Sequence, residues 1–142
     1  MTRVYVDMVA DLFHFGHVEF LRMASEAGDV LIVGVHSDAT VEEYKRRPIM
    51  TMRERMSVVA GCRYVDEVVA DAPLRIDKEW LETHRIDLVV HGDDLDADTA
   101  TMMYGVPMEM GIFRTVPYTP GVSTSELFDR MRKRIEPADE GS

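Results

Sequence analysis

The sequence predicts an α/β domain in which five parallel strands form a doubly wound sheet flanked by helices. Two observations lead to this fold class. Apolar stretches of strand length alternate with stretches whose apolar residues recur at helical spacing, which is the pattern of βαβ units. Residues 30–35, Val-Leu-Ile-Val-Gly-Val, form a continuous apolar run that is typical of a parallel strand covered on both faces.

The first two strands and the helix between them have clear local signals. Residues 3–7 alternate polar and β-forming side chains and predict the first strand. His14, His17, Val18 and Leu21 then fall at i, i+3, i+4 and i+7, which predicts a helix over residues 14–27 that ends at Gly28.

The later elements follow the same alternation. Two helix starts have capping-box spacing, Thr51 with Glu54 and Ser123 with Glu126. Further strands are predicted over residues 65–70, 86–91 and 111–116, and further helices over residues 37–44, 51–60, 76–84, 96–103 and 123–135.

Composition argues against several classes of protein. The 142 residues include 26 Asp and Glu against 16 Lys and Arg, and a formal net charge of −10 argues against binding to nucleic acid. The single cysteine, Cys62, allows no internal disulfide and indicates a reducing compartment. No apolar run reaches membrane-spanning length. We therefore expect a soluble, cytoplasmic protein that binds neither nucleic acid nor membrane.

The chain is predicted to contain one domain, residues 1–135. Residues 136–142, Glu-Pro-Ala-Asp-Glu-Gly-Ser, have the composition of a linker. Such a tail is compatible with a domain that belongs to a larger, bifunctional chain.

The segment from Asp11 to His17, Asp-Leu-Phe-His-Phe-Gly-His, is the first candidate site. His14 and His17 are three residues apart, so at a helix start they share a face and can grip one phosphate. Gly16 lets an anion approach the backbone, and the helix N-terminus adds free N–H groups. Taken alone, the tetrapeptide His-x-Gly-His also suits two histidines that simply pack in the core.

Four further motifs follow, each at a predicted loop or helix start. They are Lys45-Arg46, residues 63–68 (Arg-Tyr-Val-Asp-Glu-Val), Gly92-Asp93-Asp94, and residues 121–124 (Gly-Val-Ser-Thr). The aspartates follow a strand at the edge where open α/β sheets bind ligands, although adjacent acidic residues also commonly cap turns. His36, His84 and His91 match no spacing of metal ligands.

In this order the motifs resemble the cytidylyltransferases that make CDP-ethanolamine, CDP-choline and CDP-glycerol, within the HxGH nucleotidyltransferase superfamily. The resemblance extends over residues 4–130 and is closest to the ethanolamine-phosphate and glycerol-3-phosphate enzymes, the former through residues 28–38 and 90–92. It implies a Rossmann-like nucleotidyltransferase domain that transfers CMP from CTP to a small phosphate- or phosphonate-bearing acceptor and releases pyrophosphate.

The resemblance also implies roles for residues. The histidines would steady the transition state, and one lysine and one arginine would hold phosphates. The implied catalytic residues are His14, His17, Lys45 and Arg63. The implied nucleotide-binding residues are Asp11, Phe13, Gly16, His91, Gly92, Asp94, Tyr118, Thr119, Gly121, Ser123 and Thr124. Mg²⁺ is the expected cofactor, with Asp11 as the nearest carboxylate, and a homodimer is expected with residues 63–68 near its interface.

Four departures from the family pattern leave alternatives open. Tyr118 replaces an arginine, Met8 a glycine, Ala10 an aromatic residue and Glu43 a lysine for which Arg46 or Arg47 could compensate. The acceptor is therefore either phosphoethanolamine or a hydroxyalkyl or aminoalkyl phosphonate. An adenylyltransferase that uses ATP and a catalytically weakened nucleotide sensor are the competing hypotheses.

Overall fold

The predicted fold class is confirmed by a computed structural model, which describes residues 1–136. Its single sheet has five parallel strands in the order β3-β2-β1-β4-β5, so that the winding reverses beside β1. Open α/β sheets bind ligands at this reversal, beyond the carboxyl ends of the strands. The strands are β1 (Arg3–Met8), β2 (Val30–Val35), β3 (Glu67–Ala70), β4 (Leu88–Gly92) and β5 (Phe113–Val116).

Six helices connect and follow the strands, and each begins with a side-chain cap. The predicted capping box of Thr51 and Glu54 is present, because each side chain accepts the other residue's N–H. The helices are α1 (Phe15–Ser25), α2 (Asp38–Glu42), α3 (Met52–Ala60), α4 (Lys78–Thr83), α5 (Ala97–Glu109) and α6 (Thr124–Ile135). Within residues 1–136, no helix has both the length and the apolar character that crossing a membrane requires. Of the predicted tail, residues 137–142 lie outside the described residues.

The predicted end of α5 at residue 103 is wrong, since the helix continues to Glu109. Pro107 lies inside it, and the backbone is non-helical at Tyr104 (φ −123°, ψ 18°). A proline cannot donate to the carbonyl four residues earlier, which here is that of Met103. That carbonyl accepts the N–H of Ile76 instead, at 2.9 Å, so the helix survives as a kinked one.

Each face of the sheet carries its own hydrophobic core. Val4 and Val6 point to the face covered by α1 and α3, whereas Tyr5, Ile32 and Val89 point to the face that also buries Tyr104 of α5. Successive residues of a strand alternate between faces. The sequence predicted alternation of polar and apolar residues in β1, but the structure buries both faces of this strand.

The same alternation places three polar side chains at the carboxyl end of the second face. Asp7 follows Tyr5 by two residues and His91 follows Val89 by two. His36 continues β2, since its N–H donates to the carbonyl of Met8 at 3.1 Å. Three neighbouring strands therefore end in ionisable groups just beyond a core.

A buried guanidinium fixes the loops at this edge. Arg55 of α3 is fully buried and donates to the carbonyls of Val9 (2.7 Å), His36 (2.8 Å) and Met50 (3.3 Å). It also pairs with the carboxylate of Asp38 at 2.6 Å. The loops after β1 and β2, the start of α2 and the start of α3 thus share one donor group.

We predict that Arg55→Met lowers the free energy of unfolding by about 3 kcal/mol, because it leaves a carboxylate and three carbonyls without their donor. Arg53→Met is the matched control, since Arg53 is exposed on the same helix and should change stability by less than about 0.5 kcal/mol. Urea unfolding of both variants measures the difference. Equal stability of the two would contradict the role given to Arg55.

Candidate functional site

A cavity of about 770 Å³ opens beyond the carboxyl ends of β1, β2 and β4. It is lined by the loop after β1, by residues 45–49, by the loop after β4, by residues 117–119 and by the first turn of α6. Most of the predicted site residues come together here: Asp11, His14, Gly16, His17, Lys45, His91, Gly92, Asp94, Tyr118, Thr119, Ser123 and Thr124.

The two histidines of the first motif cap helix α1. His14 is the N-cap residue, with extended backbone, and not the first helical residue as predicted. Its Nδ1 accepts the N–H of Gly16, while the Nδ1 of His17 accepts the N–H of His14, both at 3.0 Å. In a neutral imidazole the hydrogen is then on Nε2. The rings lie 4.0 Å apart between centroids. Both can offer an Nε2–H donor to a ligand in the cavity.

The surroundings keep both imidazoles neutral. Burial, followed by the charges of His14 and Lys45 and opposed by Asp11, lowers the pKa of His17 to about 3. Burial, followed by the charge of Arg130, also lowers the pKa of His14. Near neutral pH the pair therefore acts through hydrogen bonds and not through positive charge.

Gly16 has a different role from the one predicted. Its N–H is occupied by His14 and is not offered to an anion. A Cβ at this position would lie 2.9 Å from Cε1 of His14 and 3.2 Å from Cγ1 of Val122. Glycine is needed here because the imidazole occupies the space of a side chain.

Asp11 ties two parts of the cavity wall together. Its carboxylate accepts the N–H groups of Ile49 and Met50, each at 2.9 Å, and its carbonyl accepts the hydroxyl of Thr124 at 3.2 Å. The residues on either side, Ala10 (φ 61°) and Leu12 (φ 47°), have the left-handed backbone that side chains disfavour. This strained loop brings the basic segment and the start of α6 against the histidines.

The Asp and His side chains that line the cavity are not gathered into a metal site. Within residues 1–136 no cluster of three or more His, Cys, Asp or Glu could enclose an ion. The charge of Asp11 acts on the pKa of His17, and both Asp11 carboxylate oxygens already accept backbone N–H groups. A Mg²⁺ ion held mainly by the phosphates of a ligand would need only one or two carboxylates from the protein.

The cations around the cavity differ in their surroundings. Lys45 is exposed by surface area, and desolvation of its ammonium lowers its pKa against the opposing charge of Asp11. The guanidinium of Arg46 lies 5.0 Å from the ring of Phe128, and Arg47 lies 3.7 Å from both Asp38 and Glu42.

Arg130 on α6 was not predicted as a site residue. It donates to the carbonyl of Gly121 at 3.0 Å, and its charge contributes to the lowered pKa of His14. It therefore lies close to the phosphate-binding candidates, in a chain with tyrosine at position 118, where the family resemblance implies an arginine.

The two adjacent aspartates after β4 have different roles. The sequence alone could not tell which of them caps a turn and which faces the cavity. Asp93 accepts the N–H of Tyr118 at 2.9 Å and so holds the last loop, which is the capping role. Asp94 lines the cavity, and a Cβ on Gly92 would stand 2.8 Å from its Oδ1. Glycine at position 92 therefore lets the Asp94 carboxylate turn toward the cavity.

Three predicted site residues do not line the cavity. Arg63 lies at the opposite end of the sheet, before β3, where its guanidinium is 5.7 Å from the ring of Tyr64. Phe13 stacks on His17, with 5.1 Å between ring centroids, and so orients that imidazole. Gly121 has a φ of 86° and shapes the turn before α6. Within this chain, the geometry does not support contact between Arg63 and a ligand in the cavity.

Two residues that form the floor of the cavity were not predicted from the sequence. Asp7 and His36 line it, and the hydroxyl of Tyr104 donates to Oδ1 of Asp7. His91, which was predicted, lies beside Tyr104, with 5.3 Å between ring centroids. The available signal was an aspartate and a histidine two residues beyond core positions of their strands.

We predict that stability falls as the pH is lowered from 6.5 towards 5, because the pKa of His17 is lower in the folded state than in the unfolded state. The unfolded chain then binds the proton more readily, and protonation favours unfolding. His17→Gln removes this titration, while a glutamine can still accept the N–H of His14. Urea unfolding at both pH values should show about 1 kcal/mol less loss for the variant. Identical losses would contradict the buried, neutral state of His17.

Comparison with known proteins is consistent with this geometry. A family model described as cytidylyltransferase-like matches residues 8–130. The chain is 44% identical over 133 residues to the ethanolamine-phosphate cytidylyltransferase of Dictyostelium discoideum, covering 90% of this chain and 37% of that protein. It is 42% identical over 134 residues to the Arabidopsis thaliana protein of the same name, with 90% and 32% covered.

Choline-phosphate cytidylyltransferase A of Homo sapiens is 41% identical over 134 residues, with 92% of this chain and 36% of that protein covered. The chain thus spans between 32% and 37% of the length of these three relatives.

Solved structures extend the likeness of the fold. A lipopolysaccharide core biosynthesis protein from Thermoplasma volcanium matches with a TM-score of 0.69 at 24% identity, covering 86% of this chain and 99% of that chain. Pantothenate synthetase from Thermus thermophilus matches with a TM-score of 0.63 at 13% identity, covering 94% and 64%. At these identities the likeness concerns the fold alone. The family model, in contrast, covers most of the sequence, and the chain belongs to the cytidylyltransferase-like family.

Proposed function

We propose that this chain transfers CMP from CTP to the phosphate of a small, amine-bearing phosphoalcohol such as phosphoethanolamine. The observation that carries the proposal is one cavity that combines phosphate-binding groups with a buried carboxylate, Asp7, on its floor. The phosphate-binding groups are two neutral imidazole donors, Lys45 and the N-terminus of α6. The phosphate of such an acceptor would meet the phosphate-binding groups, and its ammonium would meet the carboxylate of Asp7.

In the proposed reaction, an acceptor phosphate oxygen attacks the α-phosphorus of CTP. The bond from that phosphorus to the oxygen bridging the β-phosphate breaks, and pyrophosphate leaves with the electron pair. No general base is needed, because a phosphate monoester has its second pKa at about 6 and is largely ionised at neutral pH. Catalysis then depends on positioning and on stabilisation of charge.

The residues around the cavity divide this work. His14 and His17 would donate from Nε2 to the α- and β-phosphates as charge moves to the leaving group. Lys45 would bridge acceptor and triphosphate, and the first turn of α6, with Ser123 and Thr124, would bind the terminal phosphates. Asp94 would accept hydrogen bonds from the cytosine or its ribose.

Mg²⁺ is proposed to enter with the triphosphate, whose charge it would neutralise when bound, with Asp11 as the nearest carboxylate. We also propose a cytoplasmic homodimer with residues 63–68 near its interface. The position of Arg63, exposed and away from the cavity, supports an interface role over a catalytic one. A larger, bifunctional chain is supported by the relatives, which extend well beyond the matched region.

We predict that His17→Gln lowers the rate of CTP-dependent pyrophosphate release at least about 10²-fold, which is the usual effect of removing one donor to a developing oxyanion. The variant keeps an acceptor for the His14 N–H, so circular dichroism should show an unchanged fold. His84→Gln is the matched control, because His84 ends α4 away from the cavity. Full activity of His17→Gln would refute the assigned role.

The nucleotide and the acceptor are tested together in a panel that measures pyrophosphate release. CTP or ATP is combined with phosphoethanolamine, phosphocholine, glycerol 3-phosphate or 2-aminoethylphosphonate. We expect the highest kcat/KM with CTP and phosphoethanolamine. Preference for ATP would identify an adenylyltransferase, preference for the phosphonate would identify that acceptor, and binding of CTP without turnover would identify a sensor.

A further inference from the structure

Asp7 and His36 face each other across the cavity floor, and neither receives a hydrogen bond on the side that faces the other. Among residues 1–136, Oδ2 of Asp7 has no hydrogen-bond partner, although Oδ1 accepts the hydroxyl of Tyr104. Nε2 of His36 lies 3.9 Å from this unpaired oxygen. The side chains are 1% and 3% exposed, so bulk water does not readily serve either group. A buried acceptor without a donor carries a free-energy cost, which is a reason to look for a ligand.

The orientation of His36 decides which kind of group it presents. Its Nδ1 donates to the carbonyl of Ala72 at 3.0 Å, and its own carbonyl is held by Arg55 at 2.8 Å. With the hydrogen on Nδ1, a neutral ring presents the lone pair of Nε2 to Asp7. In this tautomer the unprotonated Nε2 and Oδ2 of Asp7 are two acceptors that face each other, and 3.9 Å is too long for a hydrogen bond between them.

A single nitrogen with two N–H groups matches this arrangement. Hydrogen bonds from nitrogen span about 2.7–3.2 Å, so one tetrahedral nitrogen can reach two acceptors that are 3.9 Å apart. A primary ammonium has three such hydrogens and a positive charge that suits a buried carboxylate. A trimethylammonium has no hydrogen to donate and would leave both acceptors unsatisfied.

We infer that His36 determines the specificity of the acceptor site, by accepting a hydrogen bond from a primary ammonium that Asp7 holds by charge. The inference rests on the proposed CMP transfer and names its substrate class as phosphoalcohols with a primary or singly methylated amine. Asp7 attracts any cation. His36 distinguishes cations by the number of hydrogens that they carry.

The first experiment uses the full chain and varies the number of N–H groups on the acceptor. Phosphoethanolamine and its N-methyl, N,N-dimethyl and N,N,N-trimethyl derivatives carry three, two, one and no N–H groups. At saturating CTP, kcat/KM should fall by about 10-fold to 100-fold between the monomethyl and dimethyl acceptors, where the second donor is lost. A smooth decline with size, or a preference for the trimethyl acceptor, would overturn the inference.

The second experiment uses two variants that separate the ring nitrogens of His36. His36→Asn keeps an N–H for the carbonyl of Ala72 but removes the acceptor at Nε2. His36→Gln places an amide oxygen near the position of Nε2. We expect His36→Asn to raise the KM for phosphoethanolamine about 10-fold or more and to flatten the methylation series, with the KM for CTP unchanged. His36→Gln should restore part of the discrimination.

A merely structural role for His36 predicts a different result, since it would change the KM for CTP and all acceptors alike. In a folded His36→Asn variant, an unchanged ratio of kcat/KM for phosphoethanolamine to kcat/KM for phosphocholine would also overturn the inference. These outcomes are distinct from failure of the proposed function. Pyrophosphate release with glycerol 3-phosphate alone would leave nucleotidyl transfer standing and refute the ammonium site, whereas no release with any acceptor would refute both.

Discussion

The buried guanidinium of Arg55 is the interaction on which the cavity depends. A parallel sheet delivers its loops to one edge but does not fix their mutual positions, because each loop belongs to a separate connection. Arg55 supplies donors to carbonyls of three segments and a charge to Asp38 at the start of α2. The planar, permanently charged fork makes this possible, and lysine could not match its geometry. The carbonyl of His36 is one of these acceptors, so the cavity floor is fixed by a residue outside it.

The cavity is also a product of strand alternation. On the face that buries Tyr5 and Val89, the apolar pattern ends one pleat before the carboxyl edge of the sheet, and ionisable side chains take the next position. The core therefore continues directly into the binding site. Burial raises the pKa of Asp7, against the opposing effects of His36 and the Tyr104 hydrogen bond. A ligand cation on this floor would thus gain from the same low-dielectric surroundings that make an unpaired carboxylate costly.

Local signals were sufficient for much of the fold and for part of the cavity. The apolar run of β2, the capping box at Thr51 and the histidine pair each lie within a few residues of sequence, so their geometry could be anticipated. The contact between Asp7 and Tyr104 joins residues 97 positions apart, and Tyr104 stands at a kink in a helix that was predicted to end at residue 103. Arg63 was misplaced for a different reason. It precedes the predicted third strand, and a residue before a parallel strand lies at the amino end of the sheet, away from the edge that binds ligands. Its role was implied by the family resemblance and not by its position in the fold.

The way helix α1 begins has a consequence for how the site can be lost. Each Nδ1 of His14 and His17 accepts a backbone N–H, so the helix start and the tautomer that exposes Nε2–H form together. A chain whose first helix has frayed presents no correctly polarised imidazoles to a nucleotide. Activity therefore reports on the local order of this one turn, and a ligand that engages both Nε2 atoms would in return hold the turn closed. In the proposed reaction, nucleotide binding and the completion of folding at this edge would therefore be coupled.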